Sequence, residues 1–301
     1  MSEHKSLCEL TRRSISSVKF LLWRRRVIPP PFMKIMRHFF TYIFFIITIS
    51  ACSQPGLFKE TRILMDTFCE ISCYSQDKIA IKMAFEEIER IERLCSKFDE
   101  KSELSKVNTL AGQEEVVISE ELLELISRSI YYSNLTQGAF DVTKQGKYKS
   151  IALDKDKSSI RFVDSDIKID LGGIAKGYAV DRAVQVLRNH DIENALVNLG
   201  GNMFALGSPA GRKAWRIGIR DPGDKSKIIH KLNIKDKAVS TSANYERPSH
   251  IINPITGNPA KDIGSVTIVA PSAEQADALS TAVFITGKDL CLNDVEVYIY
   301  R

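Results

Sequence analysis

The sequence predicts an α+β fold, with mixed sheets flanked by helices and a β-α-β unit at the centre. Three observations predict it. Short runs of β-branched and aromatic residues recur along the second half of the chain. Residues 77–98 and 119–136 carry apolar side chains near helical spacing. A strand-like run, "IKID" (167–170), turns at Gly172–Gly173 straight into the helical pattern 174–190, and a second strand-like run, "NALVNLGG" (194–201), follows.

Each element has a local cause. "RILMDTFCEISCYS" (62–75) alternates and is rich in β-formers, which predicts one strand. In 77–98, Ile79, Met83, Phe85, Ile88, Ile91 and Leu94 mark an apolar stripe between charged residues. Ser102 is a candidate N-cap for the segment 102–108. The helix predicted over 119–136 has Ser119 as its cap and Glu120 and Glu121 in its first turn, and it stops near Gly138. Strands are predicted at 214–222, 237–242, 264–270 and 295–300. A helix over 271–287 has Ser272 and Gln275 at capping-box spacing and Gly287 as its stop. There are no repeats or low-complexity linkers.

The net charge of +5 suggests an anionic partner until its distribution is read. Nine of the Lys and Arg residues fall in residues 1–51 with only two acids, so the rest holds 33 bases against 35 acids, a net of −2. This excludes a nucleic-acid binder. Residues 39–49, "FFTYIFFIITI", form an apolar run of eleven after a basic start. It is too short for a stable membrane span and has the length of a signal-peptide core. It leads into "ISAC", whose Cys52 resembles the lipidated cysteine of a bacterial lipoprotein. The expected division is a signal region over 1–51 and one domain over 52–301. Residues 1–32 fit no part of a signal, so synthesis is expected to start at Met33 or Met36. The expected location is the bacterial cell envelope, lipid-anchored to the inner or outer membrane and facing the periplasm. The six cysteines form no C-x-x-C pair, so neither a zinc site nor a disulfide framework is expected.

Several patterns could carry chemistry. "GGIAKG" matches neither the P-loop nor the dinucleotide fingerprint. Its geometry still brings backbone N–H groups to a positive helix terminus, an anion site; the same bend equally serves tight helix packing. Asp277 and Thr281 are four apart on one helix face. A carboxylate and a hydroxyl suit Mg²⁺, which keeps waters and takes phosphate ligands; alternatively they serve the helix dipole and a back-bond. His250 precedes an Asn-Pro turn and could be a general base or a turn residue. Phe140 and Asp141 follow a Gly after a helix.

Taken together, "MDTFCEIS", "KFDEKSELSKVN", "GAFDVT", "IDLGGIAKGYAVD", "ALVNLGGN", "WRIGIRDP", "VSTSANYER", "HIINPITGNPA" and "SVTIVAPSAEQADALSTAVFITG" resemble, in order, the FAD:protein FMN transferases, the ApbE-type flavin transferases. The resemblance spans nearly all of 62–287, and its specific parts are "IDLGGIAKGYAVD" and "ADALSTA". It implies an ApbE-like, T-fold-related flavin transferase fold. It implies FAD contacts at Met65, Phe98, Ala139, Phe140, Asp141, Gly172, Tyr178 and Ile252. It implies Mg²⁺ held by the Ala175 carbonyl with Asp277 and Thr281, and His250 as the acid/base group, so that His250 and Asp277 are the catalytic pair. The implied partners are FAD and an acceptor flavoprotein, such as a membrane redox subunit, with the membrane reached through the lipid anchor. The implied reaction attaches FMN to a Thr or Ser hydroxyl through a phosphoester and releases AMP.

The sequence departs from the family pattern at Phe98, where Tyr is usual, at Asp66, where Gly is common, and at Asn202, Asn244 and Asn253, where Asp is common. The 141–170 segment is shorter than in most relatives and the C-terminus comes early. These departures keep open two alternatives, an FAD pyrophosphatase that uses water and a non-catalytic flavin-binding lipoprotein.

Overall fold

The computed structural model describes residues 56–75, 77–244, 251–260 and 263–301. The signal region, Cys52 and His250 lie outside the described residues.

The α+β class holds. Seven strands form the main sheet in the order β1-β2-β6-β7-β10-β11-β12: β1 (Phe58–Leu64), β2 (Thr67–Cys73), β6 (Ala195–Leu199), β7 (Asn202–Leu206), β10 (Lys237–Ala243), β11 (Ser265–Ala270) and β12 (Glu296–Tyr300). Every pairing between them is antiparallel. A small sheet joins β3 (Val116–Val117), β5 (Ser159–Phe162) and β4 (Ile151–Asp154). The hairpin of β8 (Trp215–Arg220) and β9 (Ile228–Ile234) completes the strands.

The helices are α1 (Lys78–Cys95), α2 (Glu103–Leu110), α3 (Glu120–Leu135), α4 (Ala175–Asn189) and α5 (Ala273–Thr286). α4 packs on β6 and β7, α5 on β7, β10 and β11, and α1 backs α4. Trp215, Ile217, Ile219, Leu232 and Ile234 of the β8–β9 hairpin make a second core with Ala205, Val239 and Val269. Because side chains alternate along a strand, the main sheet can feed both cores at once.

The caps act as the sequence predicts. Ser102 Oγ accepts from Ser105 N at 2.9 Å and Ser119 Oγ from Leu122 N at 3.3 Å. Gly287 closes α5 in the left-handed region, at φ +67°. The buried stripe of α1 differs from the expectation at its start: it runs through Ala80, Ile81, Ala84 and Phe85, while Ile79 and Met83 face solvent.

Two expected strands are replaced. Residues 62–75 are a hairpin rather than one strand, because Met65 (φ +51°) and Asp66 (φ +58°) reverse the chain between the paired Leu64 and Thr67. Two successive positive φ values suit a two-residue hairpin turn, and aspartate tolerates that region better than most residues. Residues 167–170 join no ladder, so the expected β-α-β unit lacks its first strand. Instead Asn108 Nδ2 donates to Ile169 O at 2.8 Å, Asn108 Oδ1 accepts from Ile169 N at 2.6 Å, and Asp170 N donates to Val142 O at 2.7 Å. A side chain and one carbonyl have taken the bonds that a neighbouring strand would supply.

Candidate active site

The glycine bend, the start of α4 and one face of α5 meet at one place. Neither Gly172 nor Gly173 adopts a positive φ, so space rather than backbone freedom explains them. A Cβ on Gly173 would lie 3.2 Å from Phe140 Cε2 and 3.4 Å from Thr281 Oγ1. A Cβ on Gly177 would lie 2.2 Å from Ala273 O and 2.8 Å from Asp277 Cβ. The first turns of α4 and α5 touch backbone to backbone, and only glycine permits it.

Asp277 is buried in this contact. Its Oδ2 accepts from Gly177 N at 2.9 Å. Burial pushes its carboxyl above the ordinary range, against the opposing pull of Lys176, the Gly177 N–H and the Asn202 side chain. Asn202 is itself buried, and its Oδ1 has no hydrogen-bond partner among the described residues. Thr281 Oγ1 donates to Asp277 O at 3.3 Å. Below them, Ser280 Oγ meets Ser240 Oγ at 3.1 Å and Ser242 Oγ at 2.8 Å, which ties α5 to β10. Asp181 of α4 accepts from Ala273 N at 2.8 Å and Glu274 N at 2.9 Å, a cap supplied from another helix.

The bend therefore offers a smaller anion site than its pattern suggests. Gly172 N donates to Asp170 Oδ1 at 2.8 Å and Gly177 N to Asp277, so two of its N–H groups are already used.

The other expected contacts divide. Ala139 and Phe140 are buried beside Gly173. Met65 occupies the β1–β2 turn, against which the β6–β7 turn packs: Gly200 N donates to Phe68 O at 3.0 Å, and a Cβ on Gly200 would strike Thr67. Phe98 is 80% exposed, with the Lys97 ammonium 4.9 Å from its ring centre. Asp141 is committed to its own loop, since Oδ1 accepts from both Thr143 N and Thr143 Oγ1 at 2.7 Å. Tyr178 faces the helices: its hydroxyl donates to Glu121 Oε1 at 2.7 Å, and burial and that carboxylate push its acidity down. Glu121 also holds Arg90 at 2.6 Å. Ile252 pairs with Pro259 in an isolated bridge. Asn253 Oδ1 accepts from Ile255 N, the habit of a turn residue.

Sequence reasoning missed Gly177, Asp181 and Asp170. The first and second stand inside the quoted glycine motif, but the residues they touch lie far along the chain, so no local pattern gives their roles. The third had a faint signal, a lone acid inside an apolar run before two glycines.

Comparison with known proteins gives this arrangement a family. The ApbE family model matches residues 65–146 and 144–297. The chain belongs to the ApbE family. Among relatives of this ApbE-family chain, the FAD:protein FMN transferase of Treponema pallidum is 30% identical over 287 residues, covering 76% of this chain and 79% of its own. A protein of the same name from Klebsiella pneumoniae is 27% identical over 272 residues, covering 78% and 84%. The crystal structure of the ApbE protein from Thermotoga maritima superposes with a TM-score of 0.75 at 32% identity, covering 81% of this chain and 94% of that one. The Vibrio cholerae flavin transferase ApbE, at 23% identity, shares the fold with a TM-score of 0.71, covering 81% and 98%.

Proposed function

We propose that this ApbE-family transferase moves FMN from FAD to a Thr or Ser hydroxyl of a target flavoprotein, with Mg²⁺, and releases AMP. The observation that carries the reading is the buried Asp277 carboxylate, one helical turn from Thr281 and pressed against the glycine bend. The names of the relatives support the flavin chemistry.

The residues present fit a hard cation. Among the described residues the buried Asp277 carboxylate has no ion pair, feeling Lys176 only at a distance, and the neighbouring Asn202 Oδ1 is buried and without a hydrogen-bond partner. Among the described residues no three His, Cys, Asp or Glu side chains gather at one point. Such a sparse oxygen set suits Mg²⁺, which completes its shell with water and phosphate. Asp277, Thr281 and the Ala175 carbonyl would hold it. Bound there, it supplies charge neutralisation to a diphosphate.

The chain's own residues do the rest. Gly177 lets the first turns of α4 and α5 meet and so sets Asp277 at the bend, Gly173 leaves room for Phe140 and Thr281, and Ala139 is buried beside them. His250 takes the proton of the acceptor hydroxyl, whose oxygen attacks the FMN-side phosphorus. The new O–P bond forms as the bridging P–O bond breaks, and the bridging oxygen leaves on AMP. Cys52 carries a lipid anchor and holds the domain in the cell envelope, facing the periplasm.

Incubation with FAD, Mg²⁺ and an acceptor flavoprotein tests the reading. Covalent flavin fluorescence on the acceptor, with AMP released in equal amount, is expected. Free FMN with AMP, or FAD recovered intact, would overturn transfer in favour of hydrolysis or of simple binding.

A further inference from the structure

Three chain segments are tied together by one carboxylate. Asp170 Oδ2 lies 2.6 Å from Lys97 Nζ and 2.5 Å from Lys144 Nζ, and its Oδ1 accepts from Gly172 N at 2.8 Å. Its side chain is only 15% exposed, against 39% and 44% for the two lysines. Burial alone would raise its pKa, but Lys144, Lys97 and the Gly172 N–H bring it down to about 2. The carboxylate is therefore charged throughout the physiological range.

What it joins is specific. Lys97 precedes Phe98, and its ammonium sits over that exposed ring. The backbone there is held from behind, since Ser96 Oγ accepts from Phe98 N and Asp99 N. Lys144 N donates to Asp141 O at 3.0 Å, in the turn that follows Phe140. Gly172 opens the bend that leads to Asp277. These contacts run from the loop after α1, from the loop after α3 and from the segment before α4. Among the described residues no backbone ladder joins the Phe98 loop to the bend; the Lys97–Asp170 pair spans the gap.

We propose that Asp170 is a positioning residue for the dinucleotide, a latch that acts through Lys97 and Lys144 to set the Phe98 ring at a fixed distance from the glycine bend. The ligand class is a flat heteroaromatic ring carrying a diphosphate: the ring covers Phe98, and the diphosphate lies toward the bend. This inference rests on the flavin transferase reading. Lys176 Nζ, donating to Gly172 O at 3.2 Å, adds a third ammonium against the two carboxylates of Asp170 and Asp277. The mouth therefore has surplus positive charge for a diphosphate.

The test is equilibrium binding of FAD to the full chain with Mg²⁺ and no acceptor, read by flavin fluorescence and anisotropy. Asp170→Asn and Phe98→Ala are each expected to weaken FAD by about tenfold, and the double variant by little more, because both act on one ring contact. Lys97→Met is expected to reproduce Asp170→Asn. Losses that multiply to about a hundredfold in the double variant would overturn the latch, because independent effects add in free energy. So would wild-type affinity in Asp170→Asn. If Asp170→Asn fails to fold, wild-type affinity in Lys97→Met does the same. A wild-type chain that binds no FAD would sink the flavin reading itself, and this inference with it.

Discussion

Replacing Gly177 with alanine tests the helix contact on which the site is built. A Cβ at this position would lie 2.2 Å from Ala273 O and 2.6 Å from Ala273 C, both backbone atoms that no side-chain rotation can move. Ordinary contact begins near 3.4 Å, so the first turns of α4 and α5 must part by more than 1 Å. The Gly177 N to Asp277 Oδ2 bond, 2.9 Å in the native contact, would then stretch to about 4 Å and be lost. Leaving a buried carboxylate without that donor costs about 1.5–3 kcal/mol, and overpacking costs about 1–3 kcal/mol. The better helix propensity of alanine returns about 1 kcal/mol. The net is a loss of about 1.5–5 kcal/mol, or roughly 3–20 °C in Tm for a domain of this size. Thermal melting of Gly177→Ala beside Gly223→Ala is the assay. At Gly223 the nearest atom to a new Cβ is 3.4 Å away, so that control should melt within a degree or two of wild type. A Gly177→Ala protein melting at or above wild type would refute the close-approach argument.

Other outcomes follow from the buried groups. Asp277→Asn removes a buried charge, so the metal-free protein should gain about 1 kcal/mol while the rise of Tm on adding Mg²⁺ disappears; unchanged Mg²⁺ stabilisation would move the cation elsewhere. Burial pushes the Asp181 carboxyl up to about 6 and that of Glu274 to about 7, with Arg128 3.2 Å from Glu274 opposing the shift. Both acids bind protons more tightly folded than unfolded. Their contribution is complete below the ordinary carboxylate range and is lost as pH rises through about 6–7, so Tm should increase from about pH 8 to about pH 5. Glu274→Gln should flatten that profile, and a Tm that falls over the same interval contradicts the sign. Asp170 works oppositely: its contribution, about 2 kcal/mol, is present above the ordinary carboxylate range and lost as pH falls through about 2, which acid titration of unfolding in wild type and Asp170→Asn would separate. Cys69 and Cys95 are buried with thiols pushed up to about 12, Cys73 is buried and shifted the same way, and Cys291 is exposed. Of these four, only Cys291 should react with a thiol reagent before unfolding.

The sequence by itself determined the pieces whose causes are local. Apolar spacing and caps placed α1, α3, α4 and α5 to within a few residues, and Gly287 marked the end of the last helix. Alternation located β6, β8, β10, β11 and β12. The pairing of Asp277 with Thr281 follows from helical pitch alone, and the order of motifs pointed to the family. Only the tertiary structure decided where the space-limited glycine is, and it is Gly177 as well as the visible Gly172–Gly173 pair. It decided that 167–170 bonds to Asn108 and Val142 instead of a strand. It also decided that Asp170 gathers two distant lysines, and that Asp141 and Tyr178 spend their polar atoms inside the protein. The reason is range. Periodicity and capping act over a few residues, whereas Gly177 meets an acid 100 residues away and Lys97 meets one 73 away. Which polar group is left for a ligand depends on which ones the folded chain has already used.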